Sequence, residues 1–173
     1  MEFYTDGNSL LNNKTDGISV GCYGWIGGGK ESLSEMIVGS DSTTMESLAM
    51  FWCLKHIQKK SIEGATIFCD SQSLVTILNN KHKQYKNNQD TKTRQLYSKL
   101  EDLNPKVVWV KGHGDCQGNN KIDKLLELKL ALSISELDEP TRTNILSKVK
   151  YNLEVRGFTQ SFSPEFYKQI FTL

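Results

Sequence analysis

Hydrophobic and polar positions divide the chain into short β-prone runs followed by helical stripes. Phe3 to Thr5 is a short apolar run closed by Asp6-Gly7, and Ile18 to Ile26 is β-branched and aromatic with interspersed glycine. The first predicts a strand that ends at Asp6. The second predicts a strand joined to it through a polar link, with Asn12 and Asn13 in a loop or turn. Gly27-Gly28-Gly29 forces a turn, and Glu35 to Val38 supplies a third strand. Three closely linked strands predict an antiparallel meander.

The period then changes. Met45, Leu48, Ala49, Trp52, Cys53 and His56 follow the spacing of one helix face, with Ser42 and Thr43 as N-cap candidates. Phe51 and Leu54 lie off that stripe, which predicts burial on more than one side. Ala65 to Cys69 is a continuous apolar run ended by Asp70-Ser71, and reads as a buried strand. Leu74, Val75, Ile77 and Leu78 begin a second helix, and Leu96, Leu100 and Leu103 mark a third. Val107 to Val110 is another buried strand. Lys111 to Gly118 is a polar, glycine-rich loop, after which Asn119 caps a helix carrying Ile122, Leu125, Leu126 and Leu130.

The fold class that follows is α/β. It is a mixed five-stranded sheet, three strands antiparallel and two parallel, flanked by helices. Residues 133–173 read as a helical addition to a domain spanning residues 1–132. In that addition Glu139-Pro140 breaks the chain, Ile145, Val149 and Leu153 mark a helix ending at Gly157, and Ser163-Pro164-Glu165 starts another. Its apolar residues are too many to leave solvated, so it is expected to dock on the domain or on a protein partner through residues 140–173.

Composition narrows the class of protein. At 173 residues a folded chain buries about 70% of its unfolded surface and needs no disulfide or metal to hold a core. Lys plus Arg number 21 and Asp plus Glu 20, so attraction to nucleic acid must come from local charge. Residues 81–99 supply it: Lys81, Lys83, Lys86, Lys92, Arg94 and Lys99 stand against a single acid, Asp90. Such an excess suits phosphate, in a salt-sensitive manner. The four cysteines form no CxxC pair, which favours a reducing, intracellular compartment, cytoplasm and nucleus not being distinguished. The first residues lack the basic stretch and apolar core of a signal peptide, and no apolar run is long enough to span a bilayer.

Two acids occupy equivalent places. Asp6 ends the first predicted strand and Asp70 the fourth, so parallel neighbours would bring both to one sheet edge, the usual binding crevice. Glu46 and Asp123 lie in the predicted first turns of their helices and face the same edge. Carboxylates gathered within about 4–6 Å raise one another's pKa, a cost that a divalent cation removes. Mg²⁺ prefers carboxylate oxygens, and two ions about 3.5–4 Å apart clamp both oxygens of a phosphodiester displacement.

Four blocks occur in order. They are Tyr4-Thr5-Asp6-Gly7, Thr44-Met45-Glu46-Ser47-Leu48-Ala49, Cys69-Asp70-Ser71-Gln72-Ser73-Leu74 and Val110-Lys111-Gly112-His113 with Gly118-Asn119 and Asp123. Together, from about Phe3 to Ala131, they resemble ribonuclease H of type 1. The resemblance implies an endonuclease that cuts the RNA strand of an RNA/DNA hybrid with two Mg²⁺ or Mn²⁺ ions, leaving 5′-phosphate and 3′-hydroxyl ends. It assigns Asp6, Glu46, Asp70 and Asp123 to the metals and His113 to proton transfer or product departure. It puts Gln72 either at the minor groove, where 2′-hydroxyls distinguish RNA from DNA, or at the cap of its own helix. Asn119 falls near the substrate backbone and the catalytic loop, and Thr43, Asn12 and Asn13 fall in regions that contact nucleic acid. Lys81, Lys83 and Lys86 join them through the basic excess. The chain departs from the family pattern at Asn120, where an acid is common, and at Ile122, where a small residue is common. The basic stretch also lacks the tryptophans that bacterial relatives carry there. None of these removes a carboxylate.

Two other readings use the same fold: a non-catalytic nucleic-acid or partner-binding module, and a DNA nuclease of the wider superfamily such as a junction resolvase. The four intact acids argue against the first, and the His113 loop with Asp70-Ser71-Gln72 against the second. Oligomeric state is not legible in the sequence.

Overall fold

A computed structural model describes residues 1–79, 102–157 and 162–172. The elements are β1 (Glu2–Leu10), α1 (Asn13–Asp16), β2 (Val20–Gly27), β3 (Lys30–Leu33), β4 (Ile37–Val38), α2 (Ser42–Lys59), β5 (Thr66–Cys69), α3 (Gln72–Asn79), β6 (Lys106–Trp109), α4 (Gln117–Ser135), α5 (Glu139–Arg156) and α6 (Pro164–Phe171). The sheet is mixed. Its order is β3-β2-β1-β5-β6, with β4 pairing β2 beside that path. β1 to β4 pair antiparallel, whereas β5 runs parallel to both β1 and β6. The mixed α/β architecture is the expected one, but the sheet has six strands rather than five. The expected third strand over Glu35 to Val38 is replaced by two. Lys30–Leu33 pairs with the outer half of β2, and only Ile37–Val38 continues beyond the intervening link. β3 escapes a hydrophobic reading because it is a largely exposed edge strand, Lys-Glu-Ser-Leu, of the charged kind that blunts sheet edges.

The two faces of the sheet carry separate cores. On one, Phe3, Trp25 and Ile67 pack with Met50, Cys53, Leu54 and Ile57 of α2 and Leu74, Val75 and Leu78 of α3. On the other, Leu10, Val20, Cys22 and Ile26 pack with Ile122, Leu126 and Leu130 of α4, and with Ile145, Val149, Phe166 and Ile170 of α5 and α6. The helices after residue 133 therefore close the second core. α4 itself runs unbroken through residue 132 to Ser135.

Helix boundaries differ from the expected ones for local reasons. Asp41, not Ser42 or Thr43, caps α2, its carboxylate accepting from the Thr44 amide at 2.8 Å. The buried stripe of α2 is Met45, Glu46, Ala49, Met50, Cys53, Leu54 and Ile57. Trp52 is exposed and carries the Lys55 ammonium 4.5 Å from its ring centroid. Asn12 and Asn13 were expected in a loop, but Asn12 caps the one-turn helix α1. α4 begins at Gln117, so Asn119 is a first-turn residue rather than its cap. Pro140 is the second residue of α5, behind the Asp138 cap, so Glu139-Pro140 opens a helix rather than breaking the chain, and Ser163 caps α6. The expected helix through Leu96 and Leu100 lies outside the described residues.

Candidate active site

The parallel ladder between β1 and β5 ends at the pair Thr5 and Cys69. Asp6 and Asp70 are the next residues along the two segments. β1 itself does not end at Asp6, as its sequence suggests, but continues to Leu10 along β2. Asp6 thus sits inside a rigid strand, yet at the point where the parallel neighbour has already turned away.

The helices deliver the remaining acids. Gly7 lets α2 lie directly on β1: a Cβ there would stand 2.3 Å from the Met45 carbonyl carbon and 2.4 Å from the Glu46 nitrogen. This contact places Glu46, the fifth residue of α2, over the strand next to Asp6. Glu46 is on the buried stripe of its helix and in the second turn, not in the first. Across the sheet, a Cβ on Gly118 would clash with the Tyr4 ring, 2.3 Å from its nearest atom. The start of α4 therefore rests on that ring, which stacks on Phe68 at a centroid distance of 5.0 Å. So seated, α4 presents Asn119 to Asp70, with the amide Nδ2 donating to Oδ2 at 3.2 Å. Asp123, the seventh residue of α4 and again a turn later than expected, follows one turn on.

The electrostatics are those of a gathered acid cluster. Asp6 is 5% exposed and Glu46 9%. Among the described residues neither they nor Asp70 form an ion pair. Burial, then the charges of Asp70 and Asp123, push Asp6 well above the ordinary carboxylate range. Burial, then Asp6 and Asp70, push Glu46 up in the same way. Asp123 is raised to about 6, by burial first, with His113 pulling it down and Glu127 and Asp70 pushing it up. His113 sits on an exposed loop between Gly112 and Gly114 in a left-handed conformation, φ 51°. Its Nδ1 is 3.4 Å from Asp123 Oδ2.

Two further partners have no clear signal in sequence. Cys69 reads as a strand hydrophobe, yet its thiol donates to Glu46 Oε2 at 3.6 Å. Glu46, Cys69 and Asp70 each bring a donor atom within 4.8 Å of the others. Burial, then the Glu46 charge, holds that thiol protonated. What remains for a cation is a set of hard carboxylate oxygens, which suits Mg²⁺ or Mn²⁺ rather than a thiolate-seeking metal. Glu127, one turn beyond Asp123, is buried and accepts from both the backbone amide and the hydroxyl of Ser163. Its fourfold spacing from Asp123 was the only hint.

The candidate nucleic-acid contacts are dispersed. Gln72 is exposed at the start of α3, Thr43 is exposed in the first turn of α2, and Asn12 and Asn13 are exposed at α1. Asn119 is instead 1% exposed, with its Nδ2 given to Asp70 and its Oδ1 without a partner among the described residues. Lys81, Lys83 and Lys86 lie outside the described residues.

The family model of RNase H matches residues 1–131. The chain belongs to the RNase H family. It is 30% identical over 138 residues to Ribonuclease H of two type A strains of Clostridium botulinum, an alignment covering 70% of this chain and 89% of theirs. The fold is shared with a solved foamy viral protease-reverse transcriptase in complex with dsDNA. The likeness has a TM-score of 0.59 at 18% identity, over 75% of this chain and 92% of that one. RNase H membership makes the chain a nuclease-family, nucleic-acid-binding protein, and divalent-metal dependence is typical of that family. No helix among its described residues is long and apolar enough to cross a membrane.

Proposed function

We propose that the chain is an active ribonuclease H that hydrolyses the RNA strand of RNA/DNA hybrids, leaving 5′-phosphate and 3′-hydroxyl ends. The observation that carries the reading is the gathering of Asp6, Glu46 and Asp70, with Asp123 nearby, the first three forming no ion pair among the described residues. In this reading the four carboxylates hold two Mg²⁺ or Mn²⁺ ions. The cations would supply the charge that offsets both the carboxylates and the phosphodiester, and would acidify the attacking water.

The chain's own groups do the positioning. Asp6 is fixed by its strand and Asp70 by the Asn119 amide, so both carboxylates keep their places when the substrate arrives. Exposed His113 moves a proton or helps release the product. Asn12, Asn13, Thr43, Gln72, Lys81, Lys83 and Lys86 contribute contacts to the hybrid. Asn119 serves the site through Asp70. In the same reading residues 1–132 are the catalytic domain and residues 133–173 an extension.

The test presents the purified chain with labelled RNA/DNA hybrid, duplex RNA, duplex DNA and a four-way DNA junction, with and without Mg²⁺ or Mn²⁺. Metal-dependent cutting confined to the RNA of the hybrid supports the proposal. Cutting of the junction instead moves the reading to a DNA nuclease. Binding of hybrid without cutting in either metal moves it to a non-catalytic module.

A further inference from the structure

The link between β1 and β2 is held from outside the sheet, by the extension. Leu11 and Gly17, on either side of α1, are both left-handed, with φ 67° and 71°. For a leucine that conformation is strained and persists only where its surroundings impose it. The surroundings are α5. Asp16 Oδ2 accepts from the Asn12 amide at 2.7 Å, which closes the turn on itself. Asp16 Oδ1 accepts from Asn152 Nδ2 at 3.1 Å, and the Asp16 carbonyl from Lys148 Nζ at 2.5 Å. Lys148 and Asn152 are one helical turn apart on α5, so one face of that helix grips one residue of the turn. Beneath them Leu11 packs with Val149 and Leu153 in the second core.

Asn12 and Asn13 remain exposed on this clamped turn. β1 runs about 14 Å from Asp6 to Leu10, so the turn stands about that far along the strand from the acid cluster. We propose that α5 is a positioning element for the hybrid: through Asn152 and Lys148 it presets the Asn12–Asp16 turn against which the duplex docks. The proposal rests on the RNA/DNA hybrid reading above. A preset turn loses less conformational freedom on binding, so its effect falls on affinity and not on the chemical step.

Asn152 is the cleaner probe, because Lys148 also carries charge that phosphate would feel. In the full chain, KM for the hybrid, kcat and melting temperature are compared for wild type, Asn152→Ala, Asn152→Asp and the exchange Asp16→Asn with Asn152→Asp. Asn152→Asp sets two carboxylates against each other and is expected to raise KM about tenfold, with kcat held within about twofold. Asn152→Ala is expected to act in the same direction but less. The exchange is expected to restore KM to within about twofold of wild type, since amide and carboxylate trade places and an oxygen at position 16 still meets the Asn12 amide. Unchanged KM in both single variants of an active enzyme overturns the positioning role alone. So does a fall in kcat that tracks melting temperature and is not rescued by the exchange. A wild-type chain that neither binds nor cuts hybrid removes the underlying reading, and this proposal with it.

Discussion

Gly7 touches Glu46 through the backbone alone: a Cβ at position 7 would lie 2.4 Å from the Glu46 nitrogen. That contact sets the height of α2 above β1 and so the place of the Glu46 carboxylate beside Asp6. Gly7→Ala is expected to push α2 away and to destabilise the chain by about 1–3 kcal/mol. Metal-dependent cleavage should fall by more than that loss of folded protein explains. Denaturant unfolding alongside cleavage rates measured well below the unfolding transition would separate the two effects.

Asn119 gives its amide to Asp70 at 3.2 Å from a position that is 1% exposed. Asn119→Ala removes a charge-assisted bond from a candidate metal ligand. Outer partners of this kind are typically worth about 10–100-fold in metal affinity or activity. Isothermal titration with Mn²⁺ is expected to show weakened binding, and hybrid affinity in the absence of metal should change little.

The raised carboxylates tie stability to pH in a definite direction. Asp6, Glu46 and Asp123 all hold protons more tightly in the folded chain, Asp123 up to about 6. Their contribution is fully present below their unfolded pKa values and is lost as pH rises through the folded ones. The metal-free chain should therefore melt lower at pH 8 than at pH 5. Adding Mg²⁺ should raise the melting temperature more at pH 8 than at pH 5, because the cations replace the protons. Scanning calorimetry with and without Mg²⁺ at both values reads this directly, and an equal rise at the two would count against the cluster as the metal site.

Residues after 139 cover Leu10, Val20, Ile122 and Leu126, and Ser163 ties α6 to buried Glu127 by two hydrogen bonds. Deleting residues 140–173 uncovers that core and strands the Glu127 carboxylate. The truncated chain is expected to lose several degrees in melting temperature or to aggregate. Ser163→Ala, which removes both one of those bonds and the α6 cap, should cost about 1–3 kcal/mol.

Much of this architecture is legible in the sequence, and the gaps have physical causes. The apolar run ending at Cys69 and the Val107-Val108-Trp109 run mark β5 and β6, but the second is not the buried strand expected: β6 is an edge strand on which only Val107 is buried and Trp109 is exposed. β1 looks shorter than it is because Asp6-Gly7 has the composition of a turn. Antiparallel pairing with Gly24 and Tyr23 carries the strand through, and the glycine serves the approach of α2. β3 is hidden because an exposed edge needs no apolar face. The stripe of α2 is misplaced by Leu48 and Trp52, and a carboxylate takes a buried position that a sequence reader assigns to a hydrophobe. Of the site, the acids and His113 stand out as blocks. Asn119 and Cys69 stand in the same blocks, but the bond of Asn119 to Asp70, that of Cys69 to Glu46 and the part played by Glu127 are not legible, since those contacts depend on how α2, α4 and α6 sit on the sheet.

In the proposed function Asp70 belongs to a metal-dependent centre that cuts RNA opposite DNA. A hybrid with labelled RNA followed through an Mg²⁺ titration, for wild type and Asp70→Asn, tests that role at its core. Mg²⁺-dependent RNA cleavage with 5′-phosphate ends is expected in wild type. In the variant a loss of at least about 10³-fold is expected, with the fold and hybrid binding retained. Cleavage that persists in Asp70→Asn, or that proceeds without divalent metal, would overturn the proposed function.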